Sequence, residues 1–133
     1  MATNSEHIEL LKRFFQAVEA FNSRNWAELE KLFDEHIVTG HIVRQDHAHT
    51  VRGKAKVKAY LEELVKKRND VPRLTVTGPV TLNVRTGVVS GTALWDRYEN
   101  DSIVSYPVSY SYTWKLVPDQ NEWLLLNMHA SPA

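Results

Sequence analysis

Four of the six histidines fall in one stretch, HIVTGHIVRQDHAHTVRG (residues 36–53): His36, His41, His47 and His49, with Arg44 and Asp46 between them. Imidazole has an unperturbed pKa of about 6.5, so it exchanges a proton near neutrality, and it is also a common metal ligand. Three chemistries are open here: a metal site, an acid–base site, or a polar rim rich in imidazole. His47-Ala48-His49 sets two imidazoles on one side of an extended segment, as a chelate requires. The next element, however, is a basic helix with no nearby acidic ligand, and the chain has no cysteine. No metal is therefore expected, and His47 and His49 read as solvated side chains of a polar loop. His41 is different. Alternation along 37–43 groups it with Ile37, Thr39 and Val43, where it is either a satisfied core histidine or a general base kept neutral by burial. Asp46 is placed to orient it, and Arg44 to bind a substrate oxygen.

The second constellation is SYPVSYSYTW (105–114). Alternation puts Tyr106, Val108, Tyr110, Tyr112 and Trp114 on one face and Ser105, Ser109, Ser111 and Thr113 on the other. Either the aromatic face packs on helices or on a partner's sheet, or one or two hydroxyls, Tyr110 first, donate to an oxyanion inside a cavity, and the small serine and threonine face is equally a candidate to line that cavity. Trp95 and Asp96 fall on opposite faces of their strand, so only one points inward. Asn127 and His129 share a face with Leu125. His129 either anchors the tail or contacts a ligand.

These groups need elements to position them. Ile8, Leu11, Phe14, Phe15, Val18 and Phe21 recur at three- and four-residue spacing and predict a helix over 5–22, with Thr3 and Glu6 in the form of a capping box. Asn25 is the cap of a short second helix whose stripe is Trp26, Leu29, Leu32 and Phe33. Residues 37–44 are β-branched and alternate, which predicts a strand. Gly53 opens a third helix, 54–68, with Val57, Tyr60, Leu61, Leu64 and Val65 inward and a solvated face of lysines outward. From Pro72 the period becomes two. Strands at about 73–84, 87–98, 102–117 and 122–131 are separated by short turns, hence antiparallel hairpins. Pro79 implies a bulge or an edge. A long twisted antiparallel sheet with three helices on one face curls into a cone, and the open end of a cone accepts a small molecule.

Bulk composition narrows the classes. The 133 residues suit one domain, 1–133, and 43% hydrophobic with 24% charged residues is ordinary for a globular chain. Sixteen basic residues balance sixteen acidic ones, so neither nucleic acid nor an anionic membrane is an expected partner. The first helix is amphipathic rather than signal-like and no apolar run approaches a membrane span, so a cytoplasmic location is expected.

Three phrases carry a family resemblance: AVEAFNSRNWAELEKLF leading into IVTGHIV, then VRGKAKVKAYLEELV, then TWKLVPDQNEWLLLNMHASP. Together they resemble the NTF2-like superfamily, which includes ketosteroid isomerases, SnoaL-type polyketide cyclases and the association domain of calcium/calmodulin-dependent protein kinase. The resemblance implies an α+β fold: a cone of three N-terminal helices on a strongly curved antiparallel sheet. The isomerase general base lies eight residues after the Leu-Phe that ends helix two, and that place holds His41. The family's helix-one tyrosine donor falls near Ala17, and its carboxylic donor near Tyr110 or Ser111. The two arginines of the association domains correspond to Tyr112 and Ala130. The function so implied is a cofactor-independent enzyme acting by acid–base chemistry on an apolar, carbonyl-containing small molecule. His41, Asp46 and Tyr110 would be catalytic, and Phe15, Arg44, Tyr60, Trp95, Tyr112, Trp114, Asn127 and His129 would bind substrate. A homodimer or larger assembly is expected. The alternative is a non-catalytic association or ligand-binding module. A pocket lined by His41 plus at least one tyrosine or aspartate would favour the enzyme, and a filled cone with an aromatic outer sheet would favour the module.

Overall fold

The computed structural model describes residues 4–44, 47–67, 71–119 and 122–132, with side chains placed for all of these except residue 4 and residues 40–49. In chain order they form helices α1 (Asn4–Asn22) and α2 (Trp26–Lys31), strands β1 (Phe33–Arg44) and β2 (His47–Arg52), helix α3 (Lys54–Lys67), and strands β3 (Leu74–Asn83), β4 (Val88–Glu99), β5 (Ser102–Val117) and β6 (Glu122–Pro132). Thr3, half of the expected capping box, lies outside the described residues. Among them, no helix is long and apolar enough to cross a membrane.

The strands make one curved, open sheet in the order β2-β1-β6-β5-β4-β3. Strands β3 to β6 are the antiparallel meander that the short turns require. The sheet is not antiparallel throughout, because β1 runs parallel to β6. No hairpin joins those two, so no tight turn dictates their relative direction. Strand β3 is an edge, and its register with β4 shifts between Thr77 and Thr81, around Pro79. This is where a residue without an N–H is tolerated.

The expected loop at 47–49 is instead the start of β2, antiparallel to β1, with His49 opposite His41 and Ala48 opposite Ile42. Thr50 and Val51 continue it as β-branched residues, and a ready partner strand outweighs the polar composition.

Helix α1 buries Leu10, Phe14, Ala17 and Ala20, while Ile8 is 62% and Phe15 42% exposed. The apolar stripe is thus rotated from the expected one. Small alanines take part of the buried face. Phe14 stacks on Tyr110 with ring centroids 5.2 Å apart and meets Tyr112 edge-on at 5.4 Å. The tyrosine row of β5 therefore faces the helices.

Two local devices fix the frame. Asn25 caps α2 by accepting from the Glu28 N–H at 3.3 Å. The side chain of Asn22, ending α1, acts as a strand partner for β3: its Nδ2 donates to the Leu74 carbonyl at 2.8 Å, and the Leu74 N–H donates to its Oδ1 at 2.9 Å.

In β6 the pairing steps from Trp114–Leu125 to Thr113–Asn127, leaving Leu126 as a bulge. Asn127 and His129 consequently do not share Leu125's face. They pair with Thr113 and Ser111, in the polar row of β5.

Candidate functional site

The helices cover one side of the curved sheet without filling it, leaving a cavity of about 420 Å³. That volume is in the range of small-molecule sites. One wall is helical, from Ala17, Val18 and Phe21 of α1, Leu29 of α2, and Tyr60, Leu61 and Leu64 of α3. The other is sheet, from Thr39, Leu74, Trp95, Arg97, Tyr106, Val108, Tyr112 and the Met128–Pro132 segment. The lining is overwhelmingly apolar, with polar atoms at few places. Thr39 Oγ1 donates to the Met128 carbonyl at 3.4 Å, which ties β1 to β6 beside the cavity.

Of the residues singled out from sequence, Tyr60, Trp95, Tyr112 and His129 border this cavity. Tyr110 and Trp114 are buried in the core behind it, and their Oη and Nε1 have no hydrogen-bond partner among the described residues. Phe15 is on the outer side of α1, in edge contact with Phe14 at 5.2 Å. Asn127 is turned to the polar row by the Leu126 bulge. Asp96 is on the face opposite Trp95, where its Oδ1 accepts from Ser105 Oγ at 2.6 Å.

The side chains of His41, Arg44, His47 and His49, and Asp46 entirely, lie outside the described residues. The His41 backbone is placed. It lies two residues after Thr39 on β1 and pairs with Ala130, itself a cavity-lining residue.

Burial raises the pKa of both Tyr110 and Tyr112, and for Tyr112 the neighbouring Tyr110 adds to the effect. Each hydroxyl therefore stays protonated, and able to donate, well past neutral pH.

Arg97 is a cavity residue that reasoning from sequence does not single out, whereas Tyr106 and Thr39, also at the cavity, lie on the faces that alternation assigns to Tyr110 and His41. A signal for Arg97 is present. The alternation that separates Trp95 from Asp96 also returns position 97 to the inner face.

Solved structures share this architecture. Bal32a, from a soil-derived mobile gene cassette, superposes with a TM-score of 0.77 at 15% identity, covering 94% of this chain and 89% of its own. A candidate dehydratase of the NTF2-like family from Streptomyces avermitilis gives 0.71 at 16% identity, over 99% of both chains. The fold is NTF2-like. A candidate calcium/calmodulin dependent protein kinase II association domain from Xanthomonas campestris has the same NTF2-like form, with a TM-score of 0.68 at 16% identity over 90% of this chain and 82% of that one. No family model matches the chain, and no curated protein does. At these identities the likeness is one of fold, and NTF2-like cones host unrelated activities, so function must be argued from the cavity.

Proposed function

We propose that the chain is a small-molecule enzyme of the isomerase or SnoaL-like kind, binding a largely apolar, carbonyl-containing substrate in the cone and acting on it by general acid–base chemistry. The observation that supports this reading most is the hollow, aromatic-walled cavity of about 420 Å³. Had the cone been filled by side chains, an association module would be favoured instead. His41 is assigned as the base: its strand position neighbours Thr39 and Ala130, both at the cavity. Asp46 orients it, and Arg44 contacts a substrate oxygen. Of the β5 tyrosines, Tyr112 is assigned as the donor to a developing oxyanion, since it borders the cavity while Tyr110 is sealed behind it. The NTF2-like candidate dehydratase is consistent with proton-transfer chemistry in such a cone.

The test uses a generic carbon acid, 5-nitrobenzisoxazole, whose ring opening reports proton abstraction. The wild-type chain should turn it over, and His41→Ala should lower the rate by about 10²–10⁴, the usual range for loss of a general base. His47→Ala and His49→Ala should change little. Equal rates for all three variants would remove the catalytic assignment.

A homo-oligomeric module is the second reading, supported by the similarity to the candidate association domain and by Tyr98 and Ile103, exposed cross-strand neighbours on β4 and β5. Sedimentation equilibrium giving a multiple of 15.3 kDa would support assembly, and a 15.3 kDa species would exclude it.

A further inference from the structure

Among the described residues lining the cavity, Arg97 alone carries a permanent charge. Its Nε is buried and has no hydrogen-bond partner among the described residues. Glu99 Oε1 stands 3.7 Å from that nitrogen, close enough to compensate charge but too far to accept a hydrogen bond. The guanidinium carbon lies 5.6 Å from the centroid of the Tyr106 ring, a cation–π arrangement. Glu99 is itself held by another group, because the Tyr106 hydroxyl donates to its Oε2 at 2.5 Å. Tyr106 thus does two things: its ring backs the guanidinium, and its hydroxyl pins the competing carboxylate. A desolvated guanidinium N–H without an acceptor is unfavourable, and an apolar cavity wall offers it none.

We infer that Arg97 receives the carboxylate of an amphiphilic ligand whose apolar body fills the cone. This rests on the reading of the cone as a ligand site and adds the ligand's class and direction. A guanidinium presents five donors in a planar fork that matches a carboxylate, and Glu99 Oε1, 3.7 Å from Nε, accepts no hydrogen bond from it. Glu99 opposes the ligand's charge and so lowers both the affinity for a carboxylate and the preference for it over an uncharged ligand. Direction is set by register. Arg97 belongs to the Trp95–Tyr106 end of the β4–β5 pair, whereas Thr39, Met128 and Tyr112 form one row across β1, β6 and β5. Along β5, Tyr106 and Tyr112 are separated by about 20 Å of strand. The carboxylate end therefore lies away from the Thr39 row, and the apolar body spans between them.

The experiment measures binding of 6-phenylhexanoate and of the uncharged 6-phenylhexan-1-ol by isothermal titration calorimetry, at a pH where the acid is ionised. The chains compared are wild type, Arg97→Met, Arg97→Lys and Glu99→Gln, each checked for folding by circular dichroism. The wild type should bind the carboxylate about tenfold or more tightly than the alcohol, as a charge-assisted hydrogen bond implies. Arg97→Met should lose that preference while keeping the alcohol's affinity, Arg97→Lys should keep part of it, and Glu99→Gln should strengthen carboxylate binding. Equal binding of the two probes to wild type, a preference that survives in Arg97→Met, or no gain in Glu99→Gln would overturn the assignment and leave the cone as a ligand site. Binding of neither probe would overturn both. If Arg97→Met does not fold, the wild-type preference and the Glu99→Gln gain decide the matter alone.

Discussion

The hydroxyl of Tyr110 lies against Gly91, its cross-strand neighbour, so closely that a Cβ on Gly91 would come within 2.7 Å of it. It has no hydrogen-bond partner among the described residues, so it is desolvated without compensation. Tyr110→Phe should then leave stability unchanged or raise it by up to about 1 kcal/mol in urea unfolding, since removing an unpaired buried polar group recovers its desolvation cost. A clear loss would show that the hydroxyl has a partner after all. Its neighbour Tyr112 differs in bordering the cavity, and burial raises its pKa, with Tyr110 adding to the effect. A pKa raised by folding means that the neutral form is favoured in the folded chain. The associated stability is intact below the unfolded value of about 10 and is lost as pH rises from there toward the folded value. Thermal stability should accordingly fall above about pH 10, and the fall should be shallower in Tyr112→Phe. Superimposable pH curves for the two chains would contradict this linkage.

At the scale of elements, turn chemistry and alternation make most of the fold legible. The meander, its turns, the Asn25 cap and the irregularity at Pro79 all stem from local residue types. The features that escape depend on contacts between distant elements. The α1 stripe reads from large residues, yet the buried face also uses Ala17 and Ala20, whose small side chains carry little hydrophobic signal. β2 looks like a polar loop until β1 is there to pair with it. The Leu126 bulge reverses the facing of Asn127 and His129, and no local signal in LLLNMH marks it. Arg97 is within reach of alternation alone, but a lone arginine on a strand is ordinarily a solvated side chain, and only the cavity distinguishes it.

Gly87 gives this scale its test. It sits at φ +73°, its carbonyl accepts from the Trp114 N–H at 2.7 Å, and a Cβ there would run into the Trp114 carbonyl. Gly53, at φ +97°, has nothing within 4 Å of the same position. Gly53→Ala should cost about 1–2 kcal/mol from backbone strain alone, and Gly87→Ala measurably more because the β3–β4 turn must also move. Equal losses in denaturant titrations would mean that the close approach to Trp114 carries no energy.

For the whole molecule, the decisive property is that three helices and a curved six-stranded sheet enclose space instead of closing on themselves. Interiors are ordinarily packed to near-crystalline density, and an apolar void of this size costs stability unless something uses it. The role proposed for the cone is therefore first of all binding, and the proposed catalysis depends on that. Val18, on α1, borders the cavity and is only half-buried, so a tryptophan there would occupy the space with little demand on the core. The most direct measurement is calorimetric titration of the uncharged probe 6-phenylhexan-1-ol into the wild-type chain and into Val18→Trp, with circular dichroism confirming that both are folded. The expected result is saturable binding of one molecule per wild-type chain, weakened about tenfold or more in Val18→Trp by loss of buried apolar contact. Absence of saturable binding to wild type, or the same affinity in both chains, would contradict it.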